Sequence, residues 1–178
     1  SATLMNKVFE IIEAKKIFDL RYDQLDILIH PSSYVHAIIK FNDGMIKIIA
    51  HDTNMKIPIF NSLNESQINS IKTDKLNIKK LNFLNFKHVD IKRFPSVSLI
   101  KKFNDNESLL ETIIVLANDI LVNLFLLKKI EFTDINSILQ KLINMKDIKN
   151  YSRKKPGDIS SLISLNKLVR LKINRIIS

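Results

Sequence analysis

Ser1, Asn6, Lys7, Glu10 and Glu13, at the start of the chain, are the residues best equipped for chemistry. A helix turns about 100° per residue, so Asn6, Glu10 and Glu13 share one narrow stripe. Leu4, Met5, Val8, Phe9, Ile11 and Ile12 fill most of the remaining circumference. So apolar a helix is expected to be buried, with its polar stripe facing inward on something that needs it. Backbone N–H groups at a helix start lack partners and lie at the positive end of the dipole, where they attract phosphate. Ser1, Asn6 and Lys7 add donors there. A full turn further in, Glu10 offers the hard oxygen ligand that Mg²⁺ or Mn²⁺ prefers. One carboxylate rarely holds such an ion alone, so the other ligands are expected from elsewhere. An ordinary helix, with Glu13 exposed or paired to a lysine, fits the same pattern and stays open as the plainer reading.

The spacing predicts the elements that hold these residues. A helix is expected over 3–18 and an alternating strand over 24–30, broken by Pro31-Ser32-Ser33. Strands over 35–41 and 45–51 flank Asn42-Asp43-Gly44, a three-residue hairpin loop. Both carry isoleucines on both faces, as in a sheet covered on two sides or used to pair with another subunit. From Pro58 to about Asp90 the periodicity is weak and reads as a long linker with some short structure. After Pro95 the pattern is helical. Thr133 is the expected cap of a helix running to Met145, and Asp158 that of a last helix striped by Leu162, Leu165, Val169, Ile173 and Ile176. The fold class is α+β: a partial catalytic domain with a mixed or antiparallel sheet and flanking helices (1–64), a linker (65–90) and a small all-α bundle (91–178).

Composition narrows the classes. The chain has 178 residues, 46% of them hydrophobic, which suffices for a core. It has no cysteine, so disulfides and thiolate metal sites are excluded. The apolar stretch from Ile113 to Ile130 contains Asn118, Asp119, Asn123, Lys128 and Lys129, which argues for a buried helix and against a membrane span. The formal charge of +10 invites a nucleic-acid reading. However, the lysines are scattered, arginine is sparse and tryptophan absent, where a nucleic-acid groove recruits Arg and stacking aromatics. A basic helical nucleic-acid-binding module and a non-catalytic dimerisation segment are the alternatives to an enzyme. The histidines at 30, 36, 51 and 88 include no helical His-x-x-x-His pair, so zinc is not expected. His30 and His36 bracket the turn at Pro31, where structural hydrogen bonding is the ordinary role.

The first block, SATLMNK followed by Val-Phe-Glu10 and Ile-Ile-Glu13, resembles 1-deoxy-D-xylulose 5-phosphate reductoisomerases. Further matching blocks follow in order: Ile29-His30-Pro31-Ser32-Ser33 with Val35-His36, Asp43-Gly44, Met55-Lys56-Ile57-Pro58-Ile59, Arg93-Phe94-Pro95, Ala117-Asn118-Asp119 and Ile130 to Ile135. The resemblance implies isomerisation and NADPH-dependent reduction of 1-deoxy-D-xylulose 5-phosphate to 2-C-methyl-D-erythritol 4-phosphate, with a divalent cation (Mg²⁺ or Mn²⁺). By motif, Glu10 matches a metal carboxylate, Ser1, Asn6 and Lys7 match phosphate ligands, Met55 matches the methionine beside the nicotinamide, and His36 matches a histidine near the active site. The resemblance further implies an NADPH-binding part and an Asp-x-Glu pair preceding this segment, a homodimer, and a fragment inactive by itself. It implies bacterial cytoplasm or a plastid, with composition leaning slightly to the plastid. Two departures stand out. Thr53-Asn54 replaces the usual Pro-Asp before the methionine, and Val115 to Asp119 replaces an Asn-Ala-Ala-Asn-Glu block, which leaves Asn118 and Asp119 with no expected role beyond packing.

Overall fold

The computed structural model describes residues 2–64 and 70–177. The chain forms two compact units, Ser1–Ile27 with Asp90–Ser178, and Leu28–Val89. These boundaries differ from the expected division at 64 and 90, because the first helix contributes to the helical core.

In the first unit α1 spans Met5–Phe18, as the periodicity predicts. After a 3₁₀ turn at Pro95–Lys102 come α4 (Leu109–Leu126), α5 (Phe132–Asn144), α6 (Lys146–Lys149) and α7 (Ile159–Ile177). Met5, Val8 and Ile12 join Leu99, Ile113, Ile114, Leu121, Leu139, Leu142, Val169 and Ile173 in one core. Helix α4 is long and apolar enough to cross a membrane. Here its Leu110, Ile113, Ile114, Ala117 and Leu121 are buried, and it packs on α5 and α7. The expected cap at Thr133 is corrected: Glu131 is the N-cap of α5, and its N–H donates to Asp134 Oδ2 at 2.9 Å in a reciprocal box. Asp158 caps α7 as expected, its Oδ1 accepting from the Ser161 N–H at 2.8 Å. Lys172 Nζ donates to Asp147, tying α7 to α6 and holding that carboxyl below its usual range.

A polar latch fixes the far end of α1. The Tyr22 N–H donates to Asp105 Oδ1 at 2.8 Å, and its hydroxyl donates to Oε1 of Glu111, which is 2% exposed. Burial and that hydrogen bond push the Tyr22 phenol far above its ordinary range. Lys16 Nζ lies 3.8 Å from Glu111 Oε2. Ser108 and Glu111 have the spacing of a capping box. Glu111 is instead turned to Tyr22, and the buried Ser108 Oγ makes no hydrogen bond among the described residues.

The second unit contains the expected hairpin, β2 (Val35–Lys40) antiparallel to β3 (Ile46–Ala50). Gly44 takes φ 89°, a value that side chains resist. The predicted strand over 24–30 shrinks to β1 (Leu28–Ile29), paired with β4 (Lys87–His88). Residues Tyr22–Gln24 form a 3₁₀ turn that the Gln24 side chain closes on the Arg21 N–H. The stretch from Pro58, read as a linker with some short structure, begins inside a helix. Helix α2 covers Lys56–Leu63 and a short α3 covers Ile78–Asn82. Pro58 lies in the first turn of α2, where a missing N–H costs nothing.

Candidate functional site

Packing orients the polar stripe of α1. Met5, Val8, Ile11 and Ile12 are buried on one side of the helix. Asn6, Lys7, Glu10 and Glu13 therefore lie on the opposite side, and all four are exposed. The expectation of an inward-facing stripe is corrected for this chain, because the apolar residues bury one arc and leave Phe9 only half-buried. Lys7 Nζ donates to Glu10 Oε2 at 2.6 Å, with the two side chains 45% and 53% exposed. An exposed pair of this kind is worth about 1 kcal/mol or less.

The entry to α1 is unusual. Leu4 takes φ 55°, ψ 13° at the N-cap, left-handed backbone that costs a side-chain-bearing residue about 1 kcal/mol or more. The Thr3 hydroxyl oxygen accepts from the Met5 N–H at 3.3 Å. No acidic residue occupies the first turn, so the helix itself supplies no charge against its positive end. Ala2 and Thr3 border a shallow cleft of about 220 Å³ with Lys92, Arg93, Phe94 and Asn136 among its walls. Asn6, Lys7 and Glu10 do not line it. Ser1 lies outside the described residues.

His36 and Met55 belong to the second unit. His36 Nε2 is 3.2 Å from the His51 carbonyl oxygen, and its ring stacks on the His51 ring with centroids 3.6 Å apart. Met55 is 69% exposed at the start of α2. Just before it, Asn54 Oδ1 accepts from the Lys56 N–H at 3.0 Å. An aspartate at this position could make the same bond, so the exchange for Asn keeps the local turn. His30 is bound structurally, with Nδ1 donating to the Asn85 carbonyl at 3.1 Å and Nε2 2.6 Å from the Ser32 hydroxyl. On α4, Asn118 is half-buried and Asp119 exposed.

A family model described as the DXP reductoisomerase C-terminal domain matches residues 51–172. The chain belongs to the DXP reductoisomerase family. The Pelagibacter ubique 1-deoxy-D-xylulose 5-phosphate reductoisomerase is 52% identical over 174 residues, which cover 98% of this chain and 45% of that protein. A Clostridium botulinum reductoisomerase is 35% identical over 96% of this chain and 43% of its own length. Among solved structures, the Zymomonas mobilis reductoisomerase in complex with NADPH superposes with a TM-score of 0.86 at 28% identity, covering all of this chain and 46% of that one. A DOX-P reductoisomerase with fosmidomycin and magnesium gives 0.84 at 30% identity, covering 99% and 45%. The chain thus spans about 45% of the length of the relatives it matches. These curated relatives are bacterial, and the leaning toward a plastid finds no support.

The α+β class read from the sequence holds, with the sheet content among the described residues being two antiparallel pairs. Sequence reasoning missed the Tyr22–Glu111 latch and the stacking of His51 on His36. Tyr22 and Glu111 are 89 positions apart, with no local signal joining them. His51 was traceable only through the hairpin register.

Proposed function

We propose that this chain is the C-terminal part of an enzyme that isomerises and reduces 1-deoxy-D-xylulose 5-phosphate to 2-C-methyl-D-erythritol 4-phosphate, using NADPH and a divalent cation. The observation that carries the reading is the exposed Asn6–Lys7–Glu10 edge of α1, in a chain whose structural relatives were solved with NADPH and magnesium. The donor set suits a shared metal site. Among the described residues Glu10 is a hard oxygen ligand tied to Lys7 by a weak surface pair, and no group of three metal-ligating side chains exists. Glu10 would supply one ligand, and the part of the enzyme outside this chain the others. When bound, the cation supplies Lewis-acid polarisation of substrate oxygens.

The chain's own residues then have distinct tasks. The Lys7–Glu10 pair is cheap to break, so each partner is free to exchange the other for a substrate group: Lys7 for the phosphate, Glu10 for the cation. The Asn6 amide and the uncompensated positive end of α1 add to the phosphate site, with Ser1 as a further donor. Fixing the phosphate holds the reacting carbons at one distance from Glu10. Met55 offers an apolar, polarisable surface for the nicotinamide, and His36 a ring nitrogen for hydrogen bonding near the reaction.

A homodimer is part of the proposal. Ile38, Ile39, Ile46, Ile48 and Ile49 are each 40–56% exposed on the hairpin, an apolar surface suited to a second copy. The catalytic part would run over 1–64, the connection over 65–90 and the helical domain over 91–178, in a bacterial cytoplasmic enzyme that is active only when whole.

Glu10→Gln in the complete enzyme tests the reading. Turnover is expected to fall by at least about a hundredfold, with Mg²⁺ affinity measurably weakened by calorimetry. Unchanged turnover and Mg²⁺ binding would refute it. Salt-dependent binding of random duplex, in place of turnover, would favour the nucleic-acid alternative.

A further inference from the structure

We propose that His51 is a positioning residue for His36, fixing its ring plane by stacking and its tautomer by a backbone carbonyl, so that His36 Nδ1 is held as a hydrogen-bond acceptor. This rests on the reading that His36 borders the reaction.

The hairpin itself makes such a device necessary. Val35 pairs with Ala50 and Ala37 with Ile49, so two steps along β2 match one along β3, and His36 is the extra residue of a bulge. A bulge releases a side chain from the alternation of the ladder and re-aims it. An exposed imidazole released in this way would sample several rotamers, and ordering it on binding would cost entropy.

The structure removes that freedom. The two rings are 3.6 Å apart at 8°, nearly parallel. His36 Nε2 lies 3.2 Å from the His51 carbonyl, which can only accept, so Nε2 carries the hydrogen. In the neutral ring Nδ1 is then the lone-pair nitrogen. His51 is itself anchored: its N–H donates to the Tyr34 carbonyl at 3.1 Å, and its Nδ1 donates to the Asp52 carbonyl at 2.7 Å. Beside His51 on the chain, Asp52 forms an ion pair with Lys80 at 3.0 Å, and Lys80 also lies over the Tyr34 ring. No carboxylate hydrogen-bonds either imidazole among the described residues.

An acceptor at Nδ1 selects a donor on the bound molecule. Both a sugar hydroxyl and a nicotinamide carboxamide qualify, and kinetics with each varied separately tells them apart.

The experiment uses the complete enzyme with His51→Ala, which removes the ring, and His51→Phe, which keeps a flat ring without nitrogens. His51→Leu replaces the alanine variant if that one fails to fold. ¹⁵N NMR of the His36 imidazole is expected to report one tautomer, protonated at Nε2, in the parent and the Phe variant, and a mixture in the Ala or Leu variant, where the carbonyl remains but the unstacked ring turns away from it. The KM for whichever molecule donates to Nδ1 is expected to rise about five- to tenfold in the Ala or Leu variant, with the other KM and kcat within about twofold, and to stay near the parent value in the Phe variant. An unchanged tautomer in the Ala or Leu variant, or a Phe variant as impaired as it, overturns the proposal. Absence of reductoisomerase turnover in the parent enzyme would instead defeat the functional reading, and the NMR comparison would still decide the role of His51.

Discussion

Replacing Tyr22 with phenylalanine removes one oxygen and leaves the rest of the ring in place. That oxygen donates the hydrogen bond to Oε1 of Glu111, whose Oε2 has no hydrogen-bond partner among the described residues and has Lys16 Nζ at 3.8 Å for compensation. Glu111 is 2% exposed, so water does not substitute for the lost donor. A hydrogen bond to a charged group is worth about 1.5–3 kcal/mol, and stripping the partner from a buried charge costs about 3–5 kcal/mol. Lys16 is half exposed and offsets part of this, which places Tyr22→Phe at about 2–3 kcal/mol destabilised. Exchanging both partners, Tyr22→Phe with Glu111→Leu, removes the buried charge along with its donor and is expected within about 1 kcal/mol of the parent. Urea denaturation followed by circular dichroism measures both, from the midpoint shift at constant slope. The sign of the non-additivity is the decisive quantity. A single variant within about 0.5 kcal/mol of the parent, or a double variant less stable than the single, would refute the reasoning.

The same tyrosine predicts an alkaline dependence. Its phenol is raised in the folded state, so the stability it contributes is complete below the unfolded value near about pH 10 and is lost as pH climbs beyond it. Phenolate absorbance of Tyr22 should therefore appear only with unfolding, and the step should be missing from Tyr22→Phe. At Gly44 a Cβ would meet nothing within 4 Å, so Gly44→Ala isolates backbone strain at φ 89°. It is expected to cost about 1 kcal/mol in thermal denaturation, and no loss would mean that the turn relaxes at no cost.

How far the sequence could be read depended on whether a feature is local. Helix α1, the β2–β3 hairpin, the Asp158 cap and the stripe of α7 each follow from spacing within about twenty residues. The outward turn of Glu10 did not, because periodicity shows that a stripe exists but not which arc the core will claim. Helix α2 was missed because the periodicity from Pro58 onward is weak, and a proline is tolerated in a helix's first turn. The strand at 24–30 shortens to Leu28–Ile29 because Gln24 is taken up in the 3₁₀ turn and β4 offers two partner residues, Lys87 and His88. Among the candidate site residues, the composition of the first block was legible, and the bulge that re-aims His36 was not. A bulge is a mismatch between two strands, and neither strand carries it alone.

The unit formed by Ser1–Ile27 and Asp90–Ser178 is discontinuous, with the hairpin unit inserted between its halves. Met5, Val8 and Ile12 leave the ribosome well before the residues that bury them, and they dock only after an intervening stretch of about sixty residues has been closed into a loop, at an entropic cost of several kcal/mol. Long-range closure of this kind slows folding. It also means that no single cut in the chain frees an intact helical core. A clone that starts near Asp90 would expose the groove that α1 normally fills, whereas one in which Ile27 is spliced to Asp90 by a short bridge keeps that groove occupied.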